Sequence, residues 1–225
     1  MGHRKLKKFA EVETFSNVFQ THLFPEDGKV FPLKGKWKTD YFKNDNPITL
    51  ELGCGRGEYT VELARRFPNQ NFIGMDIKGA RLWKGAKAAI EENLANVAFV
   101  RNRIDFIETY FAQDEVNDIW IPFPDPYPGK AQKRLVAPPF IARYRKISPA
   151  RTVVHLKTDN HELYEYALEQ VAEHKYPLLA SSANVYNDAT NLGVERFTLL
   201  TEIQTYYEKL FLTIGSKIHY AEFSI

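Results

Sequence analysis

Hydrophobic residues along the chain change their spacing again and again. A short apolar run, Ile48–Leu52, ends in a glycine-rich stretch and predicts a buried strand. Over 58–67 the spacing turns helical, with Val61, Leu63, Ala64 and Phe67 apolar, until Pro68 breaks the hydrogen-bond ladder. A strand over 71–76, a helix over 79–95, a strand over Val97–Arg101, a helix over 104–112 and a strand over 118–121 follow. Pro138 suits the first turn of a helix over 138–147 that Pro149 ends. A strand over 151–158 leads into a helix over His161–Glu173, with Asp159 or Asn160 as its cap. After a loop around 187–193, a helix over 202–212 and an alternating strand over 217–223 close the chain. Residues 1–46 carry aromatics without a clear period and read as a basic leader ahead of a domain over 47–225.

This alternation predicts an α/β domain: a doubly wound, mostly parallel sheet with helices on both faces. Ligands of such sheets sit at the carboxyl ends of the strands. Chemically useful residues are therefore sought just after strands.

Composition narrows the classes. A length of 225 residues suits one domain with a sizeable core. No apolar run is long enough to span a bilayer, and the basic N-terminus lacks the apolar stretch of a secretory signal, so the default expectation is a cytoplasmic protein without a membrane partner. Cys54 is the single cysteine, which rules out a disulfide within the chain and disfavours a cysteine-based metal site. His155 and His161 lack a surrounding ligand set, so no metal is expected. The net charge of +2 decides little. Locally, cations gather at Arg4, Lys5, Lys7 and Lys8, at Lys34, Lys36 and Lys38, and at Arg143, Arg145 and Lys146. Each cluster taken alone is better read as a solvated face than as a phosphate site. Lys78, Arg81, Lys84 and Lys87 form a drifting stripe on one helix, equally readable as a phosphate track or as ordinary surface.

Two loops carry the chemistry. The first is Glu51-Leu52-Gly53-Cys54-Gly55-Arg56-Gly57, between the first strand and a helix. Glycines there allow a tight turn and close approach of a ligand to the backbone. The spacing is G-x-G-x-G with an acidic residue before it, which suits a cationic ligand better than a pyrophosphate. Asp76 ends the second strand and can accept both hydroxyls of a ribose, or merely cap the next helix. This pattern resembles the class I methyltransferase fold, whose cofactor, S-adenosylmethionine, carries ammonium and sulfonium charges and no phosphate. The second loop is Ile121-Pro122-Phe123-Pro124-Asp125-Pro126-Tyr127-Pro128, followed by Lys130, Lys133 and Arg134. Alternate prolines stiffen the backbone around one carboxylate, a device for fixing a planar base beside a methyl donor. The adjoining cations suit a phosphate backbone.

Phe-Pro-Asp-Pro-Tyr-Pro followed by Lys-Arg-Leu resembles the bacterial tRNA (guanine-N7)-methyltransferases, whose pattern is Phe-Pro-Asp-Pro-Trp and a basic stretch. Lys157-Thr158-Asp159 resembles the family's Thr-Asp, and Thr205-Tyr206-Tyr207-Glu208 its Thr-x-(Phe/Tyr)-Glu. The resemblance runs from about Thr49 to the C-terminus. It implies that Glu51, Gly53, Gly55, Gly57, Asp76 and Asp125 lie at S-adenosylmethionine. Where the family has an acidic residue after the third strand, this chain has Arg103 with Asn102 beside it, so the adenine contact falls to that pair. Asp159, Thr205 and Glu208 would contact the guanine or the tRNA, and Lys130 takes the place of the family's substrate lysine. Tyr127 replaces a tryptophan and keeps an aromatic face for stacking. The resemblance alone points to the variable loop of the tRNA. Asp125 is the candidate catalytic residue, as an orienter and not a base, because guanine N7 already has a free lone pair.

Three other functions remain open at this stage. A methyltransferase of proteins or small molecules shares the glycine loop but leaves the proline loop unexplained. A non-catalytic tRNA-binding module would not need the glycine loop. A nicotinamide-dependent dehydrogenase is disfavoured by the loop spacing and by Glu51.

Overall fold

The computed structural model describes residues 3–20 and 30–225, and for residues 3–5 the backbone only. Of the N-terminal basic cluster, the side chains of Arg4 and Lys5 thus lie outside the described residues. Among the described residues eight strands form one sheet: β1 (Val18–Gln20), β2 (Ile48–Leu52), β3 (Asn71–Met75), β4 (Val97–Arg101), β5 (Asp118–Pro122), β6 (Val153–Thr158), β7 (Leu178–Ser182) and β8 (His219–Ser224). Their order across the sheet is β1-β4-β3-β2-β5-β6-β8-β7. The first six run parallel, and β8 is antiparallel to both its neighbours. The chain starts again beside β2 after filling one half-sheet, and that reversal between β2 and β5 places a crevice at their carboxyl ends.

Helices cover both faces: α1 (His3–Val12), α2 (Glu58–Arg66), α3 (Gly79–Glu91), α4 (Ile107–Tyr110), α5 (Pro138–Tyr144), α6 (His161–Glu173), α7 (Ala189–Leu192), α8 (Val194–Glu202) and α9 (Tyr206–Thr213). The central strands are buried throughout, as their continuous apolar runs require. Alternate residues feed two cores. Ile48, Leu50, Ile73, Ile119 and Leu156 pack on one side with Trp37, Tyr110 and Tyr144. Phe72, Phe99, Trp120 and Tyr220 pack on the other with Tyr59, Leu82 and Leu200. Among the described residues no helix is long and apolar enough to cross a membrane.

The described part of 1–46 packs against the domain over 47–225. β1 pairs with β4 at the sheet edge, and α1 meets α3, where Trp83 donates to Glu11 at 2.9 Å. Trp37 is fully buried in a one-turn π-helix, Trp37–Phe42, and donates to the carbonyl of Tyr110 at 3.0 Å. Phe19, Phe31, Tyr41 and Phe42 surround it. A three-residue strand and a π-turn have no apolar period long enough to read.

Other differences are local. The helix expected over 104–112 is a 3₁₀ turn, Ile104–Phe106, followed by α4. The loop expected near 187–193 contains α7, α8 precedes the helix expected over 202–212 and was not foreseen, and that helix is α9, starting only at Tyr206. Asn160 caps α6, accepting from the Leu163 amide at 2.8 Å. The edge strand β7 gave no signal, because Leu178 and Leu179 both stay exposed and break the expected alternation.

Candidate active site

The crevice at the carboxyl ends of β2, β3, β4 and β5 is a cleft of about 360 Å³. Its floor is the turn after β2. The amides of Gly53 and Cys54 both donate to the carbonyl of Met75, at 2.8 and 3.1 Å, tying this turn to the end of β3. Gly53, Gly55 and Gly57 all have positive φ, the left-handed region that favours glycine. A Cβ at Gly53 would meet no atom within 4 Å, so the backbone there is open to a ligand. At Gly57 a Cβ would fall 2.7 Å from the Phe99 ring, so that glycine serves the packing of α2 on the sheet. Cys54 is buried, and burial followed by the nearby Glu51 and Asp76 carboxylates raises its thiol pKa, so it is no nucleophile.

Two carboxylates stand beside this floor. Asp76 accepts from the Gly55 amide at 2.9 Å and from the Lys78 amide at 2.7 Å. It braces the glycine turn and the approach to α3 at once, while still lining the cleft. Glu51 lines the cleft too, but one of its oxygens accepts from the amide of Thr60 at 2.7 Å and from the Thr60 hydroxyl. Burial pushes the Glu51 pKa up to about 8, against the lowering effect of those bonds. A cationic ligand in the cleft would restore its charge.

After β4, Asn102 is fully buried, accepting from the Arg103 amide at 2.7 Å and donating to the Tyr110 hydroxyl at 2.5 Å. Arg103 is half-exposed and pairs with Asp105 at 3.2 Å. Both reach the cleft wall. After β5, the proline loop supplies Pro122, Phe123, Pro124, Asp125 and Tyr127 to the opposite wall. Phe123 and Tyr127 both hold positive φ, a strained conformation for residues with a side chain. Arg134 holds the loop in place. It is buried, donates to the Pro126 carbonyl at 2.9 Å, pairs with Glu162 and lies over the Tyr166 ring. Arg134 is therefore a brace and not a phosphate ligand. Asp125 is exposed and, among the described residues, engaged by no hydrogen bond or ion pair.

The expected substrate residues separate. Thr205 lines the cleft and caps α9, accepting from the Glu208 amide at 3.0 Å. Lys130 is exposed and does not line the cleft, whereas Lys133 does. The short 3₁₀ turn Ala131–Lys133 carries the second lysine round to the cleft. Asp159 is half-buried at the end of β6, outside the cleft wall, with its pKa raised by desolvation. Glu208 faces the core and does not line the cleft. It is fully buried, 2.6 Å from the ammonium of Lys157, and also accepts from the Tyr186 hydroxyl at 2.9 Å. The Thr-x-Tyr-Glu spacing is thus half a helix cap and half an internal anchor, with Thr205 turned to the cleft and Glu208 to the core.

Several cleft residues were not singled out by sequence as site members, among them Arg56, Leu135, Phe140 and Tyr207. Of the basic stripe on α3, Lys78 and Arg81 line the cleft, while Lys84 and Lys87 face Glu58 and Glu11 at 3.8 and 3.9 Å. Arg143 and Lys146 both grip Glu108, at 3.0 and 2.9 Å, so this cluster is structural. Among the described residues no group of His, Cys, Asp and Glu is placed to hold a metal ion.

Residues 45–221 match the model of a family described as putative methyltransferases. A tRNA (guanine-N(7)-)-methyltransferase of Christiangramia forsetii is 45% identical over 228 residues, covering 100% of both chains. One from Bacteroides fragilis is 43% identical over 99% of this chain and 86% of its own length. The chain belongs to the tRNA (guanine-N7)-methyltransferase family. Solved structures with the same fold include the 16S rRNA methyltransferase KamB, at a TM-score of 0.64 and 12% identity over 88% of this chain and 94% of that one. Another is a 16S rRNA adenine methyltransferase crystallised with its cosubstrate SAM, at a TM-score of 0.56 and 11% identity over 87% and 93%. In this chain the crevice lies between β2 and β5, and the glycine turn and proline loop line it together.

Proposed function

We propose that this protein transfers the methyl group of S-adenosylmethionine to N7 of a guanine in the variable loop of tRNA. One observation carries the reading: a single cleft joins the open glycine turn and Asp76 to the rigid proline loop, Asp125 and Lys133. The donor set fits the cofactor. The space over Gly53 admits a ligand against the backbone, and Glu51 and Asp76 face a group with two positive charges. Gly53 and Gly55 form the cradle, Asp76 suits the ribose hydroxyls, and Asn102 and Arg103 edge the place for the adenine. When bound, S-adenosylmethionine supplies an electrophilic methyl on a sulfonium leaving group.

This chain's residues then position and stabilise. Guanine N7 is unprotonated at neutral pH, so a carbon–nitrogen bond forms as the carbon–sulfur bond breaks, and no proton moves. Catalysis reduces to holding nucleophile, methyl and leaving sulfur in line. Asp125 on its braced loop accepts hydrogens from the guanine Watson–Crick edge and balances the positive charge that the ring gains. Lys133 meets a phosphate, Thr205 closes the far side, and the exposed Tyr127 ring offers a stacking face. A protein of this function works in the cytoplasm, where tRNA is modified.

The test incubates the protein with unmodified bulk tRNA and methyl-labelled S-adenosylmethionine, then identifies labelled nucleosides by mass spectrometry. Label in 7-methylguanosine, mapped to the variable loop, is the expected result. Label in another nucleoside keeps the cofactor and overturns the substrate atom. No label despite cofactor binding overturns tRNA as the substrate.

A further inference from the structure

A second cavity, of about 330 Å³, lies between α2, α3 and the segment joining α8 to α9. Arg56 and Glu58 line both this cavity and the cleft, so Arg56 stands at the boundary between them. Its guanidinium lies 3.8 Å from the centroid of the Tyr206 ring, and next to it Arg81 lies 5.5 Å from that of Tyr207. Both tyrosines are exposed at the start of α9. Lys209, one residue beyond Glu208, is exposed and lines the second cavity.

The electrostatics of the cavity single out two cations. Each of its three glutamates already faces a basic partner: Glu58 meets Lys84, Glu62 meets Arg65 and Arg66, and Glu202 meets Arg66. Among the described residues, Arg56 and Lys209 have no carboxylate partner. The backbone of Arg56 is also held firmly. It sits between Gly55 and Gly57, both at positive φ, and a Cβ on Gly85 would come 2.7 Å from the Arg56 carbonyl oxygen. Only glycine at 85 lets α3 close against this carbonyl, which fixes where the arginine side chain begins.

A guanine whose N7 enters the cleft of a methyltransferase must leave its stack, and its neighbour then loses a stacking partner. An arginine laid on an aromatic ring answers both needs, since it offers a flat surface to a base and N–H edges to a phosphate. We propose that the second cavity is the subsite for the nucleotide next to the target guanine. Its phosphate is held by Arg56 and Lys209, and its base stacks on the Arg56–Tyr206 pair. This inference rests on the tRNA reading above and adds a binding site to it, separate from the proline loop.

The test compares wild type with Lys209→Glu, Tyr206→Ala and Arg56→Ala in methyl transfer to unmodified tRNA. The first two change exposed side chains, so folding is preserved even if Arg56→Ala disturbs the glycine turn. Tyr206→Ala is expected to raise KM for tRNA about tenfold, the loss of one stacked base. Lys209→Glu should raise it similarly and flatten the salt dependence by about one phosphate contact. The affinity of both for S-adenosylmethionine should stay within about twofold of wild type. With 4-thiouridine placed on either side of the target guanine, photocrosslinks should fall within 205–213. Unchanged KM in both exposed variants, or crosslinks confined to 123–135, overturns the subsite and leaves the tRNA reading intact. Absence of wild-type transfer to tRNA overturns the reading beneath it.

Discussion

Replacing Lys157 by methionine leaves the carboxylate of Glu208 buried without its cation. The two side chains are 0% exposed and meet at 2.6 Å, and the ammonium also donates to the Leu200 carbonyl at 2.5 Å and the Tyr59 hydroxyl at 2.9 Å. The second oxygen of Glu208 has no hydrogen-bond partner among the described residues. Breaking such a buried pair from one side costs about 3–5 kcal/mol. That is a large share of the roughly 5–15 kcal/mol that holds a domain folded. For a domain of this size it lowers Tm by about 6–20 °C, at about 2–4 °C per kcal/mol. Glu208→Gln should cost less, about 2 kcal/mol, because Lys157 keeps its neutral acceptors. Burial lowers the Lys157 pKa from 10.5 to about 8, while Glu208 raises it, so the Gln variant moves it further down. Between the folded and unfolded values the unfolded chain holds more protons on Lys157, so the contribution of Lys157 to the stability of Glu208→Gln rises with pH, by at most about 1.4 kcal/mol per unit. Urea unfolding at pH 7 and 9 measures both effects. In Lys157→Met/Glu208→Gln the stranded charge is gone, and the two losses should fail to add by about 2 kcal/mol. Costs that sum to within about 0.5 kcal/mol would mean that the pair is not the anchor of α9.

Three further outcomes follow from the site and the core. Titrating S-adenosylmethionine binding by calorimetry should show affinity rising about tenfold from pH 6 to 7, because a cation beside Glu51 releases the proton that burial holds there with a pKa of about 8. Glu51→Gln should flatten that rise, and an equally steep rise in the variant would assign the proton elsewhere. Asp125→Asn should lower kcat about a hundredfold without changing the shape of the pH–rate profile, since the carboxylate orients and moves no proton. A new pH dependence in steady-state kinetics would give Asp125 a basic role after all. Trp37→Ala should cost about 3–5 kcal/mol in urea unfolding, as a fully buried indole demands. A cost below about 0.5 kcal/mol would make residues before 47 separable from the domain.

The amino-acid sequence by itself determined the strand–helix alternation and the two loops that form the cleft. These are local backbone requirements. Positive φ at Gly53, Gly55 and Gly57 calls for glycine, alternate prolines stiffen the loop around Asp125, and continuous apolar runs make buried strands. Such signals need no distant partner to be read. The tertiary structure alone decided where side chains point. Glu208 turns inward because Lys157, on a strand 51 residues earlier, lies beneath it, as the buried contact between them shows. Arg134 braces the proline loop because Glu162 and Tyr166 on α6 pack against it, and Lys133 takes the cleft position expected of Lys130 through a single 3₁₀ turn. Trp37 is core because Tyr110 and Phe111, far along the chain, surround it. Residue type and spacing state which groups a chain can offer, while burial and direction depend on contacts between elements that only the folded sheet brings together.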